Sequence, residues 1–206
     1  MLVQYKGILA LVKTALQDTV DNPPKEFDLH EAVSVVKAHH LTGLVYNGAL
    51  KCGYSPSEDV MVKLMSHYMK LIMQSENQLY EISNILSSFE QNKIDCMPLK
   101  GTLLKMMYPK PDMREMSDSD ILIKKHQFEE INEIMTALGF EFKTESDHEY
   151  IYKKGMVSIE FHKHLIPSYN RDMHAYYENI WEKAHKTSGK NYVYEMTPED
   201  NYIYNF

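Results

Sequence analysis

From the N-terminus to Lys93, apolar residues recur at three- and four-residue spacing, the period of a helix that buries one face. Leu2 to Leu16 and Leu29 to Leu50 both carry this pattern, and Asp28-x-x-Glu31 has the form of a capping box for the second stretch. Ser55-Pro56-Ser57-Glu58 predicts a third start, with Ser55 as N-cap and Pro56 in the first helical position. The helix it opens has no internal Gly or Pro and extends to about Gln91, with Leu64, Tyr68, Ile82, Ile85 and Phe89 on its apolar stripe.

From Ile94 the period changes. Cys96-Met97-Pro98-Leu99 reads as a short strand running into Lys100-Gly101-Thr102, after which Leu103, Leu104, Met106 and Met107 fit a helix. Ile121-Leu122-Ile123 is a second short apolar run. Phe128, Ile131, Ile134, Met135 and Leu138 mark a helix closed by Gly139, where a left-handed C-cap costs glycine little. Phe140 to Phe142, Tyr150 to Tyr152 and Val157 to His162 read as strands, with Lys153-Lys154-Gly155 as the turn between the last two. The sequence therefore predicts an α+β (α/β-like) fold, an N-terminal helical bundle (1–93) packed on a small mixed-sheet core (94–196). Thr197 and Pro198 announce one more helix over 197–206, and only six residues follow Asp200. A helix that starts so clearly and stops so soon predicts a chain that continues in a longer protein.

Composition narrows the class. With 44% hydrophobic and 25% charged residues over 206 positions, the chain is globular. It has no apolar run of the roughly 20 residues needed to span a bilayer and no secretory leader pattern. A cytoplasmic protein with no membrane partner is the expectation. Cys52 and Cys96 supply neither a disulfide framework nor zinc spacing and read as reduced apolar residues. The net charge of −7 argues against binding long nucleic acid, whose affinity comes from cationic neutralisation of phosphates. Between Leu99 and Lys125, however, six basic residues outnumber four acidic ones, and one of the chain's two arginines, Arg114, lies there.

The candidate chemistry starts at Asp118-Ser119-Asp120. In a strand, alternate side chains share a face, so the two carboxylates project together and repel unless a cation lies between them. Mg²⁺ is the natural candidate, since hard cations take carboxylate and phosphate oxygens. The strand, glycine and helix start at Leu99-Lys100-Gly101-Thr102 is a geometry that turns backbone N–H groups toward a phosphate. In Val157 to His162 the apolar residues alternate with Ser158, Glu160 and His162, which brings a third carboxylate onto one strand face. Glu160, His162 and His164 also alternate, a pattern that could in principle ligate zinc, although an orienting or nucleotide-contacting role for His162 is the preferred reading. His39-His40 reads as structural, and most of the 15 tyrosines as packing residues.

Leu99-Lys100-Gly101, Tyr108-Pro109, Arg114, Asp118-x-Asp120 with Ile121-Leu122-Ile123, and Ile159-Glu160-Phe161-His162 together resemble the bacterial family of largely uncharacterised nucleotidyltransferases in the DNA polymerase beta-like superfamily. The resemblance extends upstream through Ala38-His39-His40-Leu41 and Leu44-Val45-Tyr46. Gly101-Thr102 replaces the superfamily's usual glycine followed by Gly or Ser, and Ser119 stands where an apolar residue is common. The resemblance implies metal-dependent transfer of an NMP from an NTP donor to a hydroxyl or similar group of a small molecule, sugar-linked metabolite or peptide. It implies Asp118, Asp120 and Glu160 as the catalytic acids and ligands of Mg²⁺ (or Mn²⁺), with Lys100, Gly101, Thr102, Arg114 and His162 meeting the nucleotide. Two alternatives remain open: a toxin-like enzyme that modifies protein or RNA, and a non-catalytic nucleotide-binding or interaction module with the same fold.

Overall fold

A computed structural model describes residues 2–205 of the chain. Its contacts divide it into two compact units, the first formed by residues up to Glu76 with Leu104–Met116, the second by Asn77–Leu103 with the chain from Ser117 on. The segment 104–116, placed with the mixed-sheet region by the sequence, thus packs with the first unit. The later part of the long helix packs with the second.

The first unit holds α1 (Leu2–Leu16), α2 (Leu29–Ala38), α3 (Thr42–Cys52) and the first turns of α4 (Glu58–Asn92). Ile8, Leu11, Leu29, Val36, Val45 and Leu64 form its core. Asp28 caps α2 by accepting from the His30 N–H at 2.9 Å. The stretch from Leu29 to Leu50, continuous in its periodicity, breaks after Ala38. His40 takes a left-handed φ of +54°, the His40 N–H donates to Lys37 O, and the Leu41 N–H donates to Val36 O at 2.9 Å. This is the Schellman arrangement, built here without glycine. Glu115 then accepts from the Thr42 N–H at 3.1 Å at the start of α3. The start of α4 also differs from expectation. Ser57, not Ser55, supplies the carbonyl that accepts from Val60 and Met61, which puts Glu58 and Asp59 in the first turn, where negative charge meets the positive end of the helix dipole.

The second unit is built on a five-stranded mixed sheet in the order β1-β2-β5-β4-β3. The strands are β1 (Cys96–Pro98), β2 (Ser119–Ile123), β3 (Glu141–Glu145), β4 (Glu149–Lys154) and β5 (Val157–His162). Only β2 and β5 run parallel, and α6 (Phe128–Ala137) lies in the long connection such a pair requires. Ile121, Ile123, Ile159, Phe161 and Tyr152 are buried on one face, as are Ile82, Ile85 and Phe89 of α4. The Phe89 and Phe161 rings lie 5.7 Å apart, and the Tyr152 hydroxyl donates to Asn132 of α6 at 2.9 Å. The β4–β5 turn is Gly155-Met156, with Gly155 at φ +57°. Lys153 and Lys154, expected in the turn, are ladder residues paired with Ser158 and Val157. A two-residue hairpin of this kind places glycine first because that position needs a positive φ. The first expected strand of this region, Phe140 to Phe142, runs instead as Glu141–Glu145 along the sheet edge, with an irregularity between Phe142 and Thr144.

After β5 come α7 (Arg171–Tyr177), α8 (Ile180–Lys183), a small ladder of β6 (His185–Lys186) with β7 (Tyr194–Glu195), and α9 (Pro198–Asn205). Thr197 caps α9, its hydroxyl accepting from the Asp200 N–H at 3.1 Å. Leu122 and Leu99 join Tyr177, Ile180 and Met196 in a second core beside the sheet. The segment Lys100–Lys105 forms the short helix α5 directly after β1. No helix among the described residues is long and apolar enough to cross a membrane.

Gly48 of α3 lies against α1 so closely that an added Cβ would stand 2.0 Å from the Leu11 carbonyl oxygen. Backbone cannot yield as a side-chain tip can. Gly48→Ala should cost about 3 kcal/mol or more of unfolding free energy in chemical denaturation. Gly53→Ala, at φ +68° with open space around it, should cost only about 1–2 kcal/mol.

Candidate active site

Parallel pairing between β2 and β5 sets Asp120 opposite Glu160 and Leu122 opposite His162. Paired residues in a sheet project on the same face, so Asp120 and Glu160 stand side by side. The antiparallel neighbour β4 adds Glu149 opposite His162. Asp118, two residues before Asp120, lies just ahead of β2. Ser119, Ile121 and Ile123 are buried toward the other side, as the alternation predicts. Leu122 departs from a wholly polar site face, because α7 and α8 cover that end of the sheet.

His162 ties the cluster together. Its Nε2 lies 2.9 Å from Asp120 Oδ1, and its Nδ1 lies 3.0 Å from His148 Nε2. A carboxylate oxygen accepts, so Nε2 carries the proton given to Asp120, and Nδ1 is the nitrogen that faces His148. Donor atoms of Asp120, Glu160 and His162 all lie within 4.8 Å of one another, as do those of His148, Glu149 and His162. Asp118 is in neither group. Its charge nevertheless reaches the site: the Glu160 carboxyl is pushed up to about 7, first by burial, then by Asp118, Glu149 and Asp120. Four carboxylates therefore act on one another, and Glu160, pushed up first by its own burial, holds its proton to near neutrality.

Lys100, exposed at the start of α5, is positioned by main-chain pairing, since the Leu99 N–H donates to Asp120 O at 2.9 Å. Its ammonium lies 5.5 Å from the ring centroid of Tyr204 in α9. Burial, then the nearby charge of Asp120, pushes the Tyr204 hydroxyl above the ordinary phenol range. Gly101 and Thr102 are buried, and Thr102 Oγ1 has no hydrogen-bond partner. Arg114 belongs to the first unit, where its carbonyl accepts from Lys105 Nζ at 3.4 Å. His164 lies beyond β5 with its ring 5.7 Å from that of His174. Sequence reasoning missed His148, Glu149 and Tyr204. Glu149 could have been found by assigning the turn to Gly155-Met156, because that hairpin register alone sets it opposite His162. Tyr204 carries no local signal.

The raised Glu160 carboxyl has a consequence for stability. A carboxyl whose pKa rises from 4.5 in the unfolded chain to about 7 in the fold favours folding most below 4.5, and this contribution is lost as pH rises through about 7. In metal-free protein, Glu160→Gln should therefore gain stability relative to wild type between about pH 5 and pH 8. Urea titrations at the two pH values check this; an unchanged difference between the variants would remove Glu160 as the titrating group.

The sequence profile of a family described as "Uncharacterised nucleotidyltransferase" matches residues 25–206. No curated protein matches the chain. Two solved structures of the antibiotic-resistance factor ANT(2″)-Ia are similar at 17% identity. The solution structure has a TM-score of 0.39 and covers 43% of this chain and 47% of its own. The crystal structure in complex with adenylyl-2″-tobramycin has a TM-score of 0.38 and covers 42% and 49%. The match thus spans less than half the length of either structure, and neither likeness carries a residue assignment. The profile match covers most of the sequence, and the chain belongs to the family of uncharacterised nucleotidyltransferases.

Proposed function

We propose that the protein is a metal-dependent nucleotidyltransferase that moves an NMP from an NTP to a hydroxyl or similar group of a small molecule, sugar-linked metabolite or peptide. The observation that carries this reading is the register pairing of Asp120 with Glu160, with Asp118 close enough to raise the Glu160 carboxyl. Membership in the family supports the same chemistry.

The donor set fits a hard divalent cation. Asp118, Asp120 and Glu160 offer carboxylate oxygens, the ligands Mg²⁺ and Mn²⁺ prefer, and their mutual repulsion is what a cation relieves. When bound, the metal supplies charge neutralisation for the triphosphate and for the leaving pyrophosphate. Lys100 adds a mobile cation at the neighbouring helix start, where it can meet phosphate oxygens. The backbone of Gly101 and Thr102 is proposed to meet the same phosphates. His162 holds the Asp120 carboxylate in one orientation through the 2.9 Å hydrogen bond, which favours the orienting role over the nucleotide contact of the two read from the sequence, with Asp120 as the group oriented. The role read for Arg114 rests on the family resemblance alone.

Glu160 stands beside Asp120 through the strand register, where a carboxylate oxygen not engaged by the metal is placed to receive the acceptor's proton. The acceptor oxygen forms a bond to the α-phosphorus, the bond from that phosphorus to the pyrophosphate oxygen breaks, and the proton goes to Glu160. Calorimetric titration of the four NTPs into metal-stripped protein, with and without Mg²⁺, tests the reading. At least one NTP should bind only with the metal, and Asp118→Asn/Asp120→Asn should abolish that binding. Asp120→Asn should slow pyrophosphate release by at least roughly 10³-fold once an acceptor is supplied. A folded wild type that binds no NTP in Mg²⁺ or Mn²⁺ would sink the proposal.

A further inference from the structure

The pair of imidazoles beside the carboxylates has a geometry that nucleotidyl transfer does not use. His148 lies between β3 and β4, and its backbone is held at two points, with that of Glu149 held at a third. Its carbonyl accepts from the Lys163 N–H at 2.8 Å, and Ser146 Oγ accepts from the N–H groups of His148 and Glu149 at 3.2 and 3.1 Å. Lys163 Nζ reinforces the loop by donating to Glu145 and to Ser146 O, each at 2.6 Å. The loop end is therefore fixed against the last residues of β5 before any ligand arrives.

In that fixed position the His148 and His162 rings are tilted by 73°, with His148 Nε2 and His162 Nδ1 facing each other at 3.0 Å. Two nitrogen ligands about 2.0–2.1 Å from a tetrahedral ion stand roughly 3.3 Å apart, so small side-chain shifts suffice to admit an ion between them. Glu149, opposite His162 across the β4–β5 ladder, brings a carboxylate oxygen within 4.8 Å of a ring nitrogen of each histidine. The far nitrogen of His162 is engaged by Asp120. A carboxylate behind a histidine is the recurrent way of fixing a metal ligand's tautomer, since it keeps the proton on one nitrogen and frees the lone pair of the other.

We propose that His148, Glu149 and His162 form a binding site for a divalent transition-metal ion of the zinc class, with Asp120 orienting His162 from behind. Two imidazoles and one carboxylate suit such an ion, whereas the all-oxygen set Asp118, Asp120 and Glu160 suits Mg²⁺. On binding, His148 changes tautomer, its ring proton passing through solvent from Nε2 to Nδ1, so that both facing nitrogens offer lone pairs and a further position of the ion is open to water. His162 belongs to both groups through its two nitrogens, so the ion abuts the carboxylate site. The proposal does not depend on transferase activity, and its test reads metal binding alone.

The full chain, stripped of metal and held in millimolar Mg²⁺ to fill the oxygen site, is titrated with Co²⁺ and, in competition with a chromophoric chelator, with Zn²⁺. One equivalent should bind, with Co²⁺ developing ligand-field absorption, and ring ¹⁵N shifts should mark His162 Nδ1 and His148 Nε2 as the ligating atoms. His148→Ala should weaken Zn²⁺ by at least about 10- to 100-fold, and Glu149→Gln by a similar factor. Glu160→Gln, which leaves all three ligands in place, should retain binding. Circular dichroism in chelator establishes that each variant is folded. No binding by folded wild type overturns the proposal. So does affinity that survives His148→Ala but falls with Glu160→Gln, which would place the ion among Asp120, Glu160 and His162.

Discussion

The parallel register between β2 and β5 is the constraint on which the site depends. Each strand alone offers an unremarkable alternation of apolar and polar residues. Only when Asp120 stands opposite Glu160 do two carboxylates from distant segments share a few ångströms. A one-residue slip would bury Glu160 and His162 and turn Ile159 and Phe161 outward, so the apolar face of β5 enforces the register that sets Asp120 opposite Glu160. Phe89 and Tyr152, packed on the Phe161 side, thus act on the site through the sheet.

This arrangement holds electrostatic conflict in place. Asp118, Asp120, Glu149 and Glu160 crowd one face, and Glu160 answers by keeping its proton to about 7. A fold selected only for stability would separate such groups or pair each with a lysine, as the same unit does elsewhere with Lys154 and Glu81 at 2.7 Å and Lys124 and Asp95 at 2.6 Å. At the site face Asp120 is instead hydrogen-bonded to the imidazole of His162, and the crowding persists, the kind of perturbed cluster that gathers at functional sites. The two hydrogen bonds of His162 join this carboxylate cluster to His148.

Local sequence rules failed where two signals competed or where an uncommon residue did a common job. Ser55 and Ser57 are both good caps, and the choice fell to the one that places Glu58 and Asp59 in the first turn. The end of α2 is invisible in the sequence because a left-handed His40, not a glycine, closes it. Lys153-Lys154-Gly155 looked like a turn through its polarity, yet lysine is at home on an exposed ladder position, and it is the positive φ of Gly155 that fixes where the hairpin bends.

The sequence by itself determined the elements and most of the acids. Periodicity of 3.6 and of 2 is imposed by burying one face of a helix or strand, so it is written locally and can be read from α1, α4, α6, β2 and β5 without a partner. For the same reason Asp118, Asp120 and Glu160 were legible as polar residues beside apolar runs. Tertiary structure alone decided which chain segments join each compact unit, that His162 turns to Asp120, and that His148, Glu149 and Tyr204 come to the site. These depend on strand order, hairpin register and the return of α9 to the sheet. All three are set by contacts between residues far apart in the chain, and no local pattern encodes them.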